Sequence, residues 1–367
     1  MKTKILSILI VFICACTQTA NQDSTVITKK VNGTEITVCL FENVKTEKTI
    51  PLSSLVENCT LIRLDDRDEA LVKPWFTTVT DNYIGVRQQG SLPYMLFDHS
   101  GKFLCKVGRV GGGPGEYSGM LYDDFIDEKA GLIYLVPMVG KNILVYDLSG
   151  KFIKYITPPH VLHKPKLYSS NGLLSVVHMA FPGEKAFAMQ FDSDGNLIKS
   201  IEPPAHLIAN DYNGEIFNTR SNAFDFLHTN NSDTLYHYDI QNNKLQPVFS
   251  MEIKATEKPF RQYIELPNGC ITTVWGEGNI YTDLKTKTSS FIKVQNDFFG
   301  NIDVPITVVT LRNGWFVFNL EPGLLLERIE QRLAESDCSE EDKKALNKLQ
   351  SSLDANSNNV MFLGKLK

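Results

Sequence analysis

The chain has 367 residues, 43% of them hydrophobic, with 42 acidic and 37 basic side chains and a formal net charge of −5. That is ample material for a core, and the acidic balance excludes a nucleic-acid partner, which calls for basic patches. The cysteines are scattered with no CxxC pair, so we expect no metal site and no cofactor.

The first residues read MKTKILSILIVFICACTQTANQ. Lys2 and Lys4 precede an apolar run, Ile5 to Ile13, interrupted only by Ser7. The run falls short of the ~20 residues a spanning helix needs. It has the layout of a secretory signal. The small residue before Cys16 makes this region resemble the lipobox of bacterial lipoproteins. In that class the cysteine receives a diacylglycerol and becomes the first mature residue. We therefore expect residues 1–15 to be a signal peptide and Cys16 to carry the lipid anchor to the membrane. Without residues 1–15 the chain has 42 acidic and 35 basic residues, a charge of −7. Thr17 after the cysteine resembles outer-membrane sorting, and the few acidic residues that follow favour the periplasmic face over the cell surface. Residues 17–23 are small and polar, a tether. Cys39, Cys59, Cys105, Cys270 and Cys338 remain; several are expected as small core residues, and any disulfide is left open.

Next comes VITKKVNGTEITVCL, a hairpin pattern with Asn32-Gly33 at its turn. It is expected to lie outside the ring, so tether and hairpin occupy 16–48. A repeated phrase then dominates the chain. YMLFDHSGKFLCKVG, ILVYDLSGKFIKYI, FAMQFDSDGNLIKSI, TLYHYDIQNNKLQPVF and NIYTDLKTKTSSFIKV each join two alternating runs through an aspartate and a polar turn. The aspartates are Asp98, Asp147, Asp192, Asp239 and Asp283, at intervals of 49, 45, 47 and 44 residues. Such a period of hairpins predicts propeller blades of four strands, each phrase being the outer pair. An inner pair precedes each phrase, least regularly before the fourth, in GEIFNTRSNAFDFLHT.

A sixth inner pair, VPITVVTLRNGWFVFN, lacks an outer hairpin and runs into a segment of helical spacing, about 321–353, where Ser336 or Ser339 could cap a second helix. The chain ends in NVMFLGKLK, again strand-like. The expected architecture is all-β: a six-bladed propeller over 49–367 with a small C-terminal helical insert. The C-terminal strand and CTLIRL at 59–64 complete the sixth blade, closing the ring and sealing its last edge.

The glycine-rich loop GRVGGGPGEY invites a nucleotide reading. A P-loop needs Lys-Ser or Lys-Thr after its last glycine, and a dinucleotide fingerprint opens a helix in a βαβ unit. Neither is present, and Glu116 would repel phosphate. Gly111, Gly112, Gly113, Pro114, Gly115, Glu116 and Tyr117 are expected to form a structural corner from the rim of blade one to the axis of blade two. This loop, with the lipobox, the leader IPLSSLVENCTLIRLDDRDEALV and the helical insert ending in a strand, resembles the six-bladed β-propeller lipoproteins of Bacteroides-like bacteria, which are similar to NHL-type propellers. The resemblance covers nearly the whole chain. It departs at LDANSNNVMFLGKLK, where family members tend to carry an Asp-Asn-Pro motif. It implies the propeller fold and mostly ligand or partner binding, but no reaction.

No HExxH or GxSxG motif occurs. His160 and His163 lie among Pro158, Pro159 and Pro165, a loop pair rather than a metal helix. FDSDGN, with Asp192, lacks the ligand spacing of a calcium loop and is a turn. Trp75, Trp275 and Trp315 fall near inner strands, where they pack between blades or stack on a sugar ring. Arg87 and Arg109 at the channel or its mouth would suit a carboxylate ligand. The candidate binding residues are therefore Trp75, Arg87, Arg109 and Trp275. Two function classes stay open. One is a monomeric, lipid-anchored module of the envelope that binds a glycan or protein. The other is a polysaccharide lyase or hydrolase acting at the mouth. Titratable groups converging at the mouth would favour the enzyme, and a flat or apolar mouth the binder.

Overall fold

The computed structural model describes residues 23–212, 215–217, 224–228 and 233–367. The signal region and Cys16 lie outside the described residues, as does part of the fourth inner pair. Six sheets form a ring, the six-bladed β-propeller that the repeat predicts. Blade one consists of Pro74–Val79, Tyr83–Gln88, Tyr94–Asp98 and Phe103–Val107, in spatial order from axis to rim. Blades two and three repeat this over Leu121–Ile156 and Lys166–Ile201. Blade four spans Ile216–Glu252 and blade five Arg261–Asn296.

The repeated aspartate has a local cause. Its side chain accepts backbone N–H groups across the hairpin turn. Asp98 Oδ1 takes those of Ser100 at 2.9 Å and Lys102 at 3.1 Å. Asp147 does the same with Ser149 and Lys151, at 2.9 and 3.0 Å. Asp192 and Asp283 also collect two amides each, and Asp239 one. These Asx turns satisfy donors that the reversal leaves unpaired.

Blade six is assembled from both ends of the described chain. Its order is Thr310–Arg312, Trp315–Leu320, Val360–Lys365 and Thr60–Arg63. The C-terminal strand is thus internal, with Val360, Phe362 and Leu363 buried. Met361 and Leu363 share a cluster with Val86, Met95 and Phe97 of blade one, which closes the ring. Asn358 fastens this end to the leader: its Nδ2 donates to the Asp65 and Ala70 carbonyls at 2.8 and 2.9 Å, and its Oδ1 accepts from the Val72 N–H at 3.2 Å.

Between the second and third strands of blade six lie helices α1 (Pro322–Ala334) and α2 (Glu340–Gln350). Ser339 caps α2 in a reciprocal capping box with Asp342. Leu325 and Ile329 of α1 and Leu346 and Leu349 of α2 join the core of blades five and six. Among the described residues no helix is long and apolar enough to cross a membrane.

The N-terminal hairpin, Val26–Val31 and Thr34–Leu40, is bonded to the rim of blade four, where Thr37–Leu40 runs parallel to Phe249–Glu252. Glu47–Pro51 then adds to the rim of blade five. Both additions cover outer strand edges. Cys39 and Cys270 are buried in one cluster, and all five described cysteines are free thiols.

Candidate functional site

Inner strands of five blades, with Glu215 at the edge of blade four, line an axial cavity of about 530 Å³. Trp75, Phe76 and Arg87 line it from blade one, Tyr122 and Asp123 from blade two, Lys166 from blade three and Glu215 just before blade four. Phe260, Gln262 and Trp275 contribute from the blade-five side, and Val308 and Arg312 from the blade-six side.

The floor is a buried ionic network. Asp123 accepts from Arg312 Nη1 at 2.8 Å and Nη2 at 3.1 Å, and from the Leu167 N–H at 2.7 Å. Arg87 Nε donates to Asp124 at 2.6 Å, and its Nη2 is 3.5 Å from Asp123. The Tyr94 hydroxyl donates to the other Asp124 oxygen at 2.9 Å. Gly85 makes this last bond possible, since a Cβ there would lie 1.8 Å from the Tyr94 oxygen. Burial alone would raise the Asp123 carboxyl. The charges of Arg312, Lys166 and Arg87 outweigh it and hold Asp123 below the ordinary carboxylate range. Burial and the Asp124 charge push the Tyr94 phenol well up.

Above the network are two groups with unusual protonation. Lys166 is buried, and its ammonium sits 4.2 Å from the Tyr122 ring centre. Among the described residues it has no hydrogen-bonded partner. Burial pushes it down to about 7, against the pull of Asp123. Glu215 accepts from the Tyr122 hydroxyl and lies 3.4 Å from the Lys164 ammonium. Burial raises its carboxyl to about 8. At neutral pH the wall therefore combines a proton-holding carboxyl with a lysine that titrates, which is the environment of acid–base chemistry.

The upper wall is aromatic. Trp275 is 54% exposed and meets Phe260 edge-on at 5.9 Å. Trp75 packs edge-on against Tyr122 at 5.8 Å, with the Arg87 guanidinium 5.5 Å from its ring. Trp75, Arg87 and Trp275 thus share the cavity. Arg109 does not: it is exposed on the short strand Arg109–Val110, which pairs with Glu116–Tyr117 across the glycine loop. Trp315 lies elsewhere, against His99 and Lys365.

The glycine loop is filled by its own side chain. Glu116 Oε2 accepts the Gly113 N–H at 2.9 Å, the kind of donor a phosphate would need. The Gly115 N–H donates to the Tyr155 hydroxyl at 2.6 Å, and its carbonyl accepts from Tyr146 at 3.1 Å. The Tyr117 hydroxyl bridges the Val107 carbonyl and the Tyr94 N–H at 3.0 and 2.8 Å. The loop laces the outer strands of blades one and two.

Sequence spacing did not reveal Tyr122, Asp123, Lys166, Glu215 or Arg312. A legible signal existed: a charge within an apolar inner strand, as in LYDDFID or TLRNG, has no solvent face to occupy. Nor did spacing join His160 to His178 and Glu184, which the fold brings together.

Fold and cavity define a six-bladed β-propeller with a polar axial site under an aromatic rim. The profile described as Domain of unknown function (DUF4934) matches residues 35–271, and the chain belongs to that family. Among solved structures it is similar to a protein of Bacteroides fragilis NCTC 9343 described as exported, at 14% identity and a TM-score of 0.63, covering 88% of this chain and 99% of that one. A member of the DUF4221 family from Bacteroides vulgatus ATCC 8482 is 11% identical with a TM-score of 0.46, covering 85% and 98%. No significant match is found among curated proteins.

Proposed function

We propose that the axial cavity binds a saccharide bearing a carboxylate, and that the propeller presents this site in the cell envelope from a lipid anchor on Cys16. The observation that carries the reading is the Lys166 ammonium, which lines the cavity with Trp75 and Trp275 and has no hydrogen-bonded partner among the described residues. The arginines of the floor are already paired with Asp123 and Asp124, so the lysine is the cation available to a ligand. Flat aromatic faces suit the C–H surface of a pyranose. Envelope placement is supported by the signal-like N-terminus and by the exported protein of similar fold.

A second reading is favoured by the Lys166 and Glu215 pair. Were the bound sugar a uronate, neutral Lys166 could take the proton beside the carboxylate while Glu215 gives its proton to the departing glycosidic oxygen. A double bond would form in the ring, the reaction of a polysaccharide lyase.

The test is calorimetric titration with acidic and neutral oligosaccharides of matched length. Acidic ligands are expected to bind preferentially. Lys166→Met should abolish that preference, and Trp275→Ala should weaken both classes about 2–10-fold. Equal binding of both classes, or no binding of either, would overturn the site. Appearance of unsaturated product, lost in Lys166→Met, selects the lyase. Membrane fractionation of Cys16→Ser tests the anchor: retention equal to wild type would refute it.

A further inference from the structure

We propose that His160, His178 and Glu184 form a binding site for a divalent transition metal, zinc by its donor set, separate from the axial cavity. The three residues come from two loops. His160 lies in the loop between the outer strand of blade two and the inner strand of blade three. His178 follows the strand Leu173–Val177, and Glu184 lies in the loop before Ala188–Phe191. Each presents one ligand atom, and these atoms lie within 4.8 Å of one another. Neighbouring donors around tetrahedral zinc, with bonds of 2.0–2.1 Å, sit about 3.3 Å apart. Small side-chain rotations therefore close the set.

His178 supplies a second, independent observation. It is fully buried, and its Nδ1 has no hydrogen-bond partner among the described residues. Its Nε2 is crowded instead, 2.9 Å from His160 Nε2 and 2.7 Å from the Ala186 carbonyl. Two imidazole nitrogens at that separation can share only one proton between them. An unmet buried nitrogen is costly, and a metal relieves it by taking a lone pair. Held near a carbonyl and a second imidazole, the ring also has the outer partner that metal-bound histidines usually keep.

Glu184 is held for the same task. Its Oε2 accepts the Phe181 N–H at 3.0 Å, leaving Oε1, which is 3.5 Å from His163 Nε2. The Tyr212 hydroxyl contacts the other ring nitrogen of His163, so that ring is fixed in turn. His163 acts here as a positioning residue for the carboxylate. Two imidazoles and a carboxylate suit zinc, whereas magnesium and calcium prefer oxygen ligands. His160 and Glu184 are only half-buried, so the fourth position opens to solvent. The metal would staple two loops, the one that joins blades two and three and the one between the second and third strands of blade three.

Protein purified without a polyhistidine tag and stripped with EDTA would be titrated with Zn²⁺ by calorimetry. One ion per chain is expected. His160→Ala and Glu184→Gln, both at half-exposed positions, should each weaken binding by more than roughly tenfold, and His163→Ala by roughly 10–100-fold. His206→Ala should leave it unchanged. Circular dichroism of each variant separates lost binding from lost fold, and two independent ligand variants keep the test decisive if one misfolds. Binding without stoichiometry, or with affinity unaltered in both His160→Ala and Glu184→Gln, would overturn the site. Saccharide binding at the axis plays no part in this readout.

Discussion

Asp123 of blade two and Arg312 of blade six, 189 positions apart in the chain, meet in a two-pronged contact of 2.8 and 3.1 Å at the propeller axis. Blade one lies between these blades, so the pair spans it. Both side chains are buried. Removing one partner of such a pair leaves an uncompensated buried charge, at a cost of about 3–5 kcal/mol. Asp123→Ala should be the worse variant, because Arg312, Arg87 and Lys166 then crowd together. The sign with pH follows from the lowered Asp123 carboxyl. Its contribution is full above the unfolded value of about 3.9 and is lost as pH falls through the lower folded value. Urea melts of wild type and Asp123→Asn across the acid range would check this. A variant as stable as wild type at pH 7 would refute the axial lock.

The opposite shifts of Glu215 and Lys166 give a second pH signature. Glu215 holds its proton up to about 8 when folded. The folded state therefore binds more protons than the unfolded chain between about 4.5 and 8, and this group's contribution falls as pH rises through that window. Lys166 sheds its proton near 7 when folded and near 10.4 when unfolded. There the unfolded chain binds more protons, and the contribution grows from about pH 7 to 10. Glu215→Gln should flatten the lower limb and Lys166→Met the upper, read as differences from wild type in thermal melts. Curves parallel to wild type in both variants would show that neither group is shifted by folding.

What was legible in the sequence is what a single blade can encode. The aspartate at each outer turn and the alternation of the strands follow from neighbours within about fifty residues, and the shared sixth blade from the outer hairpin that the last repeat lacks. Trp75, Arg87 and Trp275 were visible as bulky or charged residues in inner strands. The ionic floor was not, because its partners sit on three blades, Arg87 and Tyr94 on one, Asp123 and Asp124 on the next and Arg312 on the sixth, and no spacing relates them. Glu215 lay in the least regular segment. Arg109 looked equivalent to Arg87, yet it follows the outer strand of its blade and so emerges at the rim.

The glycine loop gives a contrast between two neighbouring positions. Gly115 has φ +70°, and a Cβ there would lie 2.6 Å from Phe152 Cγ. Gly112 has open space around it and needs no positive φ. Gly115→Val should therefore cost about 1–3 kcal/mol, while Gly112→Ala should be near neutral. Ligand binding by folded Gly115→Val should match wild type, because the loop holds Glu116 rather than a ligand. An unaltered melt with lost saccharide binding would make the loop part of the site.

The C-terminal strand decides whether the ring can close at all. Val360–Lys365 lies between Trp315–Leu320 and Thr60–Arg63, so its removal opens a sheet from within. It also strips Val360, Phe362 and Leu363 from the core, each worth roughly 1.5–3 kcal/mol on burial. That sum rivals the 5–15 kcal/mol net stability typical of a domain. The same deletion exposes blade one, because Met361 and Leu363 cover Val86, Met95 and Phe97. Asn358 goes as well, and with it the bonds to Asp65, Ala70 and Val72 that fix the leader. Terminal truncations are usually tolerated, but a chain lacking residues 358–367 should unfold or aggregate. Size-exclusion and thermal melting of the truncated protein would check this. A soluble monomer with the wild-type melting temperature would mean that blade six holds without its third strand, and that closure rests on blades one and five instead.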